Sequence, residues 1–187
     1  MEIRAFFALT LPAKVVRSLA DHADTLCEFD RQIEVEWVDS DTYHLTLSFL
    51  GDISLEQVDK LESLTKKRLE DFRSFQVSVD DTAYYRVSKS LAIIAAMPQP
   101  NPDLVALHET MVAIADEAGI AHQDKGFKAH ITLGRIAGKD NQFEAPAIWP
   151  NLDLMSLADS VVLFQSKPGK RGSIYTPLFS VSLPDMA

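Results

Sequence analysis

The sequence predicts an α+β fold of two lobes related by an approximate twofold axis, each an antiparallel sheet backed by helices, with a central cleft. Three observations predict it. The pattern His-apolar-Thr-Leu occurs twice, as His44-Leu45-Thr46-Leu47 and as His130-Ile131-Thr132-Leu133. Both copies lie in stretches that alternate apolar and polar residues, the period of a β-strand. Strand-like and helical stretches surround each copy, and no linker, low-complexity tract or charge run divides the chain. Residues 1–187 therefore read as a single domain of two interleaved lobes.

Ile3 to Leu11 is an apolar run ended by Pro12, as expected of a buried strand. Val15, Val16, Leu19, Ala23 and Leu26 then recur at helical spacing, which predicts a helix over 13–28 with His22 on its solvent face. Ile33 to Val38 alternates weakly, as a strand leading to Trp37. The first motif strand is expected over 42–50, stopping at Gly51-Asp52. Ser54 and Gln57 have the spacing of a capping box, and Leu55, Val58, Leu61, Leu64 and Leu69 continue it as a helix.

Phe75 to Val79 alternates as a strand, and Asp80-Asp81 reads as a turn. Residues 84–87 and 90–96 read as a hairpin around Ser88-Lys89. Asn101 and Pro102 suit the N-cap and first position of a helix, and Gly119 suits its end. His108 falls on the apolar stripe of that helix and is expected to pack in the core, whereas His122 is expected in the loop beyond it. The second motif strand spans 126–136. Pro146 and Pro150 discourage regular structure over 138–157, where Trp149 is expected to plug the core. A strand at 160–165, a turn at 168–172 and a strand over 173–183, interrupted at Pro177, complete the chain.

Composition narrows the function. The content of 47% hydrophobic and 24% charged residues is that of a folded, water-soluble domain. A single cysteine, Cys27, forms no internal disulfide and fits a reducing cytoplasm. The start carries no signal-peptide pattern, and no apolar run is long enough to cross a membrane. A net charge of −9 argues against coating nucleic acid by bulk electrostatics. The charge is uneven, however. Residues 1–120 hold 11 Lys and Arg against 21 Asp and Glu, whereas residues 121–187 hold 7 against 6. Lys125, Lys128, Arg135 and Lys139 lie around the second motif, and Lys167, Lys170 and Arg171 around a later turn, where they can attract phosphate.

The motifs themselves point to phosphate chemistry. On a strand His44 and Thr46 share one face and Leu45 and Leu47 the other, and the second copy repeats this. Two such strands side by side bring two titratable imidazoles and two neutral hydroxyl donors to one cleft. Imidazoles near neutrality can divide the roles of acid and base, while the hydroxyls hold non-bridging phosphate oxygens.

The doubled motif resembles the signature of the 2H phosphoesterase superfamily. The flanks Arg4-Ala5-Phe6-Phe7-Ala8, Trp37, Phe49-Leu50-Gly51, Phe127, Arg135, Gly172 and Tyr175 resemble its bacterial and archaeal RNA 2′,3′-cyclic phosphodiesterase branch, also called 2′-5′ RNA ligase. Ala129 departs from the proline common there before the second histidine. The resemblance implies hydrolysis of an RNA 2′,3′-cyclic phosphate to a 2′-phosphate without metal or nucleotide cofactor, with reversible 2′-5′ ligation in some members. It implies His44 and His130 as the acid–base pair and Thr46, Thr132 and Arg135 as phosphate ligands, with Tyr175 and Phe6 bordering the base. Strict alternation sets Arg135 opposite His130, so its role requires a break at Gly134. His130 is taken as base and His44 as acid. The expected partners are RNA ends or nucleoside 2′,3′-cyclic phosphates, with no membrane, no obligate protein partner and a monomeric state.

Two other classes compete. A metal hydrolase needs clustered ligands, and the motifs offer no paired carboxylates or His-Glu-x-x-His spacing. A non-catalytic RNA-binding module needs a basic face with exposed aromatics, at odds with an acidic chain and two matched His-Thr pairs. Within the superfamily, 2′-5′ oligonucleotides or another cyclic phosphate are alternative substrates, since the motifs report the phosphate and not what it is attached to.

Overall fold

The computed structural model describes residues 1–121, 127–170 and 172–185. His122, Lys125, Arg171 and the first residue of the expected second motif strand, Gly126, lie outside them. Among the described residues, nine strands and three α-helices form in the order β1 (Glu2–Leu9), α1 (Ala13–Leu26), β2 (Glu36–Trp37), β3 (Leu45–Ser54), α2 (Leu55–Arg68), β4 (Phe75–Ser88), β5 (Leu91–Pro98), α3 (Pro102–Glu117), β6 (Ile131–Ala137), β7 (Leu154–Ala158), β8 (Ser160–Gly169) and β9 (Gly172–Ser182). They build two antiparallel sheets, ordered β3-β1-β8-β9 and β2-β6-β5-β4-β7. The fold is α+β with two pseudo-twofold-related lobes, β3, β1, β8 and β9 matching β6, β5, β4 and β7.

The helices cross between lobes. α1 follows β1 of the first sheet but packs on the second, where His22 Nε2 lies 2.8 Å from Thr82 Oγ1 of β4. α3 follows β5 of the second sheet but packs with α2 over β3 of the first. The buried apolar side chains of both sheets join in one core. Leu9 and Leu45 from one sheet and Val77, Val79 and Ile131 from the other line the same small apolar cavity. No helix among the described residues is long and apolar enough to cross a membrane.

Local chemistry accounts for most boundaries. Ser54 and Gln57 complete the capping box at α2, a cap worth ~1 kcal/mol. Asn101 Oδ1 accepts from the Leu104 amide at the start of α3. Gly51 takes φ +72°, which lets β3 bulge and run on to Ser54 rather than stop.

Other expectations are corrected. Asp80-Asp81 is a bulge within a long β4, with Gln99 bonded to Asp80, not a turn. β4 has two partners, β7 along its first half and β5 along its second, and this keeps it continuous. β7 forms inside the stretch expected to be irregular, as an edge strand held by that pairing. Trp149 is only partly buried and meets Phe29 edge-on at the periphery, 6.5 Å between ring centroids. His22 is 6% exposed, because the helix face thought to be solvated is laid on β4. Pro177 leaves β9 continuous but marks an irregularity, since Leu178 beside it is an extra residue in the pairing with β8, and β9 is an edge strand, where proline is tolerated.

Candidate active site

Each motif histidine sits one residue before its strand, His44 ahead of β3 and His130 ahead of β6. The two are held alike. His44 Nδ1 lies 2.8 Å from the Thr42 carbonyl and His130 Nδ1 lies 2.8 Å from the Lys128 carbonyl. A carbonyl only accepts, so in both rings Nδ1–H donates and the neutral ring keeps its lone pair on Nε2. His44 Nε2 accepts from the Thr46 hydroxyl at 2.9 Å.

The strands repeat a second device. β1 pairs Ala8 with Thr46 and Phe7 with Ser48, so Leu47 is an extra residue in β3. β5 pairs Ala95 with Thr132 and Ile94 with Gly134, so Leu133 is an extra residue in β6. A bulge shifts the alternation by one. Gly134 and Ile136 therefore turn inward and Arg135 joins His130 and Thr132 on one face. This is the break that a phosphate role for Arg135 requires. By the same shift Phe49 joins His44 and Thr46, and its ring is 66% exposed.

Gly134 is where the second lobe admits its extra strand. A Cβ there would lie 2.6 Å from Val35 Cγ1 and 3.2 Å from the Trp37 ring, so only glycine lets β2 lie against β6. The interaction explains why Trp37 precedes the first motif and yet serves the second.

Arg135 bears on the electrostatics of both rings. Burial lowers the pKa of His44, and the charges of His130 and Arg135 push it down further, against the lift from the Thr42 carbonyl. Burial also lowers His130, with Lys128 and Arg135 adding to it against the Lys128 carbonyl. The surroundings differ by lobe. His44 lies among Phe6 at 5.0 Å, Tyr175 at 5.2 Å and Phe164 at 6.3 Å between ring centroids. His130 faces Tyr85 at 6.2 Å, over whose ring the Lys128 ammonium sits at 3.5 Å.

The seven residues singled out in the sequence are placed in different ways. Thr46, Thr132, Arg135 and Tyr175 are partly exposed. Phe6 is buried, and rather than lining the cleft it backs the His44 ring and the exposed Phe49, 5.8 Å away. Sequence reasoning did not single out Phe49 or Tyr85 as site residues, because their faces depend on bulges and registers that no residue pattern states. Lys128 was noted only as one of several bases near the motif. Among the described residues no group of three His, Cys, Asp or Glu side chains is placed to hold a metal ion.

Comparison with known proteins agrees with this geometry. The family model for LigT-like phosphoesterases matches residues 9–91. The RNA 2′,3′-cyclic phosphodiesterase of Escherichia coli is 30% identical over 176 residues, 94% of this chain and 93% of that one. The enzyme of the same name from Thermotoga maritima is 23% identical over 180 residues, 95% of this chain and 94% of its own. Among solved structures, E. coli LigT complexed with 3′-AMP superposes with a TM-score of 0.79 at 25% identity, covering 98% of this chain and 99% of that one. A protein of Thermus thermophilus gives 0.81 at 26%, covering 99% and 100%. The fold and the doubled motif define a phosphoesterase of the two-histidine class. The chain belongs to the LigT-like phosphoesterase family.

Proposed function

We propose that the protein hydrolyses RNA-terminal or nucleoside 2′,3′-cyclic phosphates to 2′-phosphates, with His130 as general base and His44 as general acid and with no metal or nucleotide cofactor. The observation that carries this reading is the matched tautomer of the two rings. Each is pinned through Nδ1–H, so each presents Nε2 to the cleft that also receives Arg135. Water gives its proton to His130 Nε2 as its oxygen bonds to phosphorus. The bond from phosphorus to O3′ breaks, and O3′ takes the proton of His44 Nε2. Thr132 and Arg135 donate to the non-bridging oxygens, where charge builds, and so does Thr46, whose hydroxyl is released from His44 Nε2 once that nitrogen carries the proton of the acid.

What supports the assignment of roles is Lys128: burial and Arg135 disfavour a proton on both rings, and Lys128 adds to this at His130, the ring taken as base. His44 lies in an aromatic surround, where Phe49 and Tyr175 offer faces for the base of the nucleotide and Phe6 and Phe164 support them. With a 5′-hydroxyl in place of water the same steps join a 2′-5′ linkage, reversibly. The enzyme works as a monomer in the cytoplasm on soluble RNA ends.

The test is to incubate the purified protein with a nucleoside 2′,3′-cyclic phosphate and with cyclic-ended RNA, in chelator, and to identify the product by ³¹P NMR. The expected product is the 2′-monoester at undiminished rate. No turnover of either substrate, or a 3′-monoester, would overturn the reading.

A further inference from the structure

We infer that His108 is a positioning residue for the cleft, fixing the strand that carries Thr46 and tying it to the segment that enters His130. His108 lies on α3, 8% exposed, and its Nδ1 is 2.6 Å from the carbonyl of Leu47. The carbonyl only accepts, so the imidazole donates. Leu47 is the extra residue of the β3 bulge, directly after Thr46. A bulge leaves a backbone group outside the ladder, and a buried carbonyl needs a donor.

The second lobe shows what that donor ordinarily is. Its matching bulge residue, Leu133, accepts from the Val38 amide at 2.9 Å, supplied by the backbone just after β2. β3 is the edge of its sheet, and on that side the donor comes from α3. His108 thus stands in the first lobe where the backbone just after β2 stands in the second. A second contact of the ring reaches the opposite motif. The ring lies flat on Phe127, 4.0 Å between centroids and 6° between planes, and Phe127 is three residues before His130. One side chain therefore touches the backbone next to one phosphate ligand and the approach to the proposed base.

A histidine serving only as filler predicts something different from a donor. His108→Phe keeps an aromatic ring against Phe127 and removes the donor. His108→Asn gives up the ring but returns an N–H at the position of Nδ1. Under the positioning role, H108F lowers kcat by about 10- to 100-fold per folded molecule, the scale of a misplaced reacting group, and changes KM by less than about threefold. H108N then restores kcat to within about threefold of the unsubstituted enzyme. Folded fraction is measured separately by thermal melting. In the unsubstituted protein, labelled with ¹⁵N and ¹³C, the His108 Nδ1–H proton is expected to be slow to exchange and coupled to the Leu47 carbonyl carbon.

An H108F enzyme with unchanged kcat, or an H108N enzyme no better than H108F, would overturn the inference. So would an Nδ1 without a proton at neutral pH, a reading that stands even where H108F does not fold. The kinetic arm rests on the proposed phosphodiesterase activity, and the two fail separately. An inactive unsubstituted enzyme fails the activity, whereas an active one with indifferent His108 variants fails this inference alone.

Discussion

The two lobes share a backbone plan down to the register of single residues, and yet they present different chemistry at matched positions. Where β6 has Arg135, β3 has Phe49; where β5 has Ile93, β1 has Phe6; where β4 has Tyr85, β8 has Phe164. Add Lys128, and one side of the cleft is cationic while the other is aromatic. What is repeated is the part that any phosphate needs: an imidazole pinned through Nδ1, a threonine two residues on, and a bulge after it. Under the proposed function, what differs would meet the two ends of a nucleotide, an anionic phosphate and an apolar base. Burial and Arg135 lower both histidines, while Lys128 adds to the lowering of His130 and the charge of His130 to that of His44.

The largest effect that can break this comparison is loss of either ring. His44→Ala and His130→Ala are each expected to lower kcat by ~100- to 10,000-fold with the protein still folded. They should also delete opposite limbs of the pH profile, the alkaline limb with His44 and the acid limb with His130. Loss of the same limb in both variants would undo the division of roles.

The matched pair Arg135 and Phe49 sharpens the contrast. Arg135→Ala removes a charged donor from the phosphate and should cost about 10- to 100-fold in kcat/KM, much of it in kcat. Phe49→Ala should instead raise KM roughly tenfold, the scale of one base–aromatic stack, and leave kcat nearly unchanged. Similar kinetic signatures in the two variants would mean that the lobes are not specialised.

Stability distinguishes the lobes as well. Gly134→Ala forces a methyl against Val35 and Trp37 and should cost about 1–3 kcal/mol in denaturant unfolding. Its counterpart Ser48→Ala places no new Cβ and should cost less than about 1 kcal/mol. Equal losses would mean that β2 does not press on Gly134.

The smallest effect is in pH. Both rings titrate below the ordinary histidine value of 6.5, burial being the leading cause in each. The base must be neutral, so activity falls as pH drops through its pKa; the acid must be charged, so activity falls as pH rises through its own. With both depressed, kcat/KM should be greatest on the acid side of an unperturbed pair. A bound phosphate favours the charged rings, so the kcat optimum should lie at higher pH. Stopped assays across the range check the order, and a kcat/KM optimum on the alkaline side would contradict it.

Much of this was legible in the residues. Period-two alternation placed both motif strands, helical stripes placed all three helices, and Ser54 with Gln57 and Asn101 with Pro102 marked two starts. The misreadings share a cause. Asp80-Asp81 carries turn chemistry, but β4 holds it in line through two partner strands. His22 looked solvated because a helix does not say which sheet it will cover, and α1 crosses to the other lobe. His108 packs in the core as its place on the apolar stripe predicts, whereas the faces that Phe49 and Tyr85 occupy depend on bulges and registers set by segments distant in sequence.

By itself, then, the sequence determined the repeated strand pattern, the pairing of imidazole with hydroxyl on one face, and the acidic chain with its more basic final third, since these follow from local periodicity and composition. Tertiary structure decided which face Arg135 and Phe49 occupy, what caps each bulge, and which aromatic rings gather around His44. Those depend on register and crossing, which are set only when distant segments compete to bury the same surface and satisfy the same backbone groups.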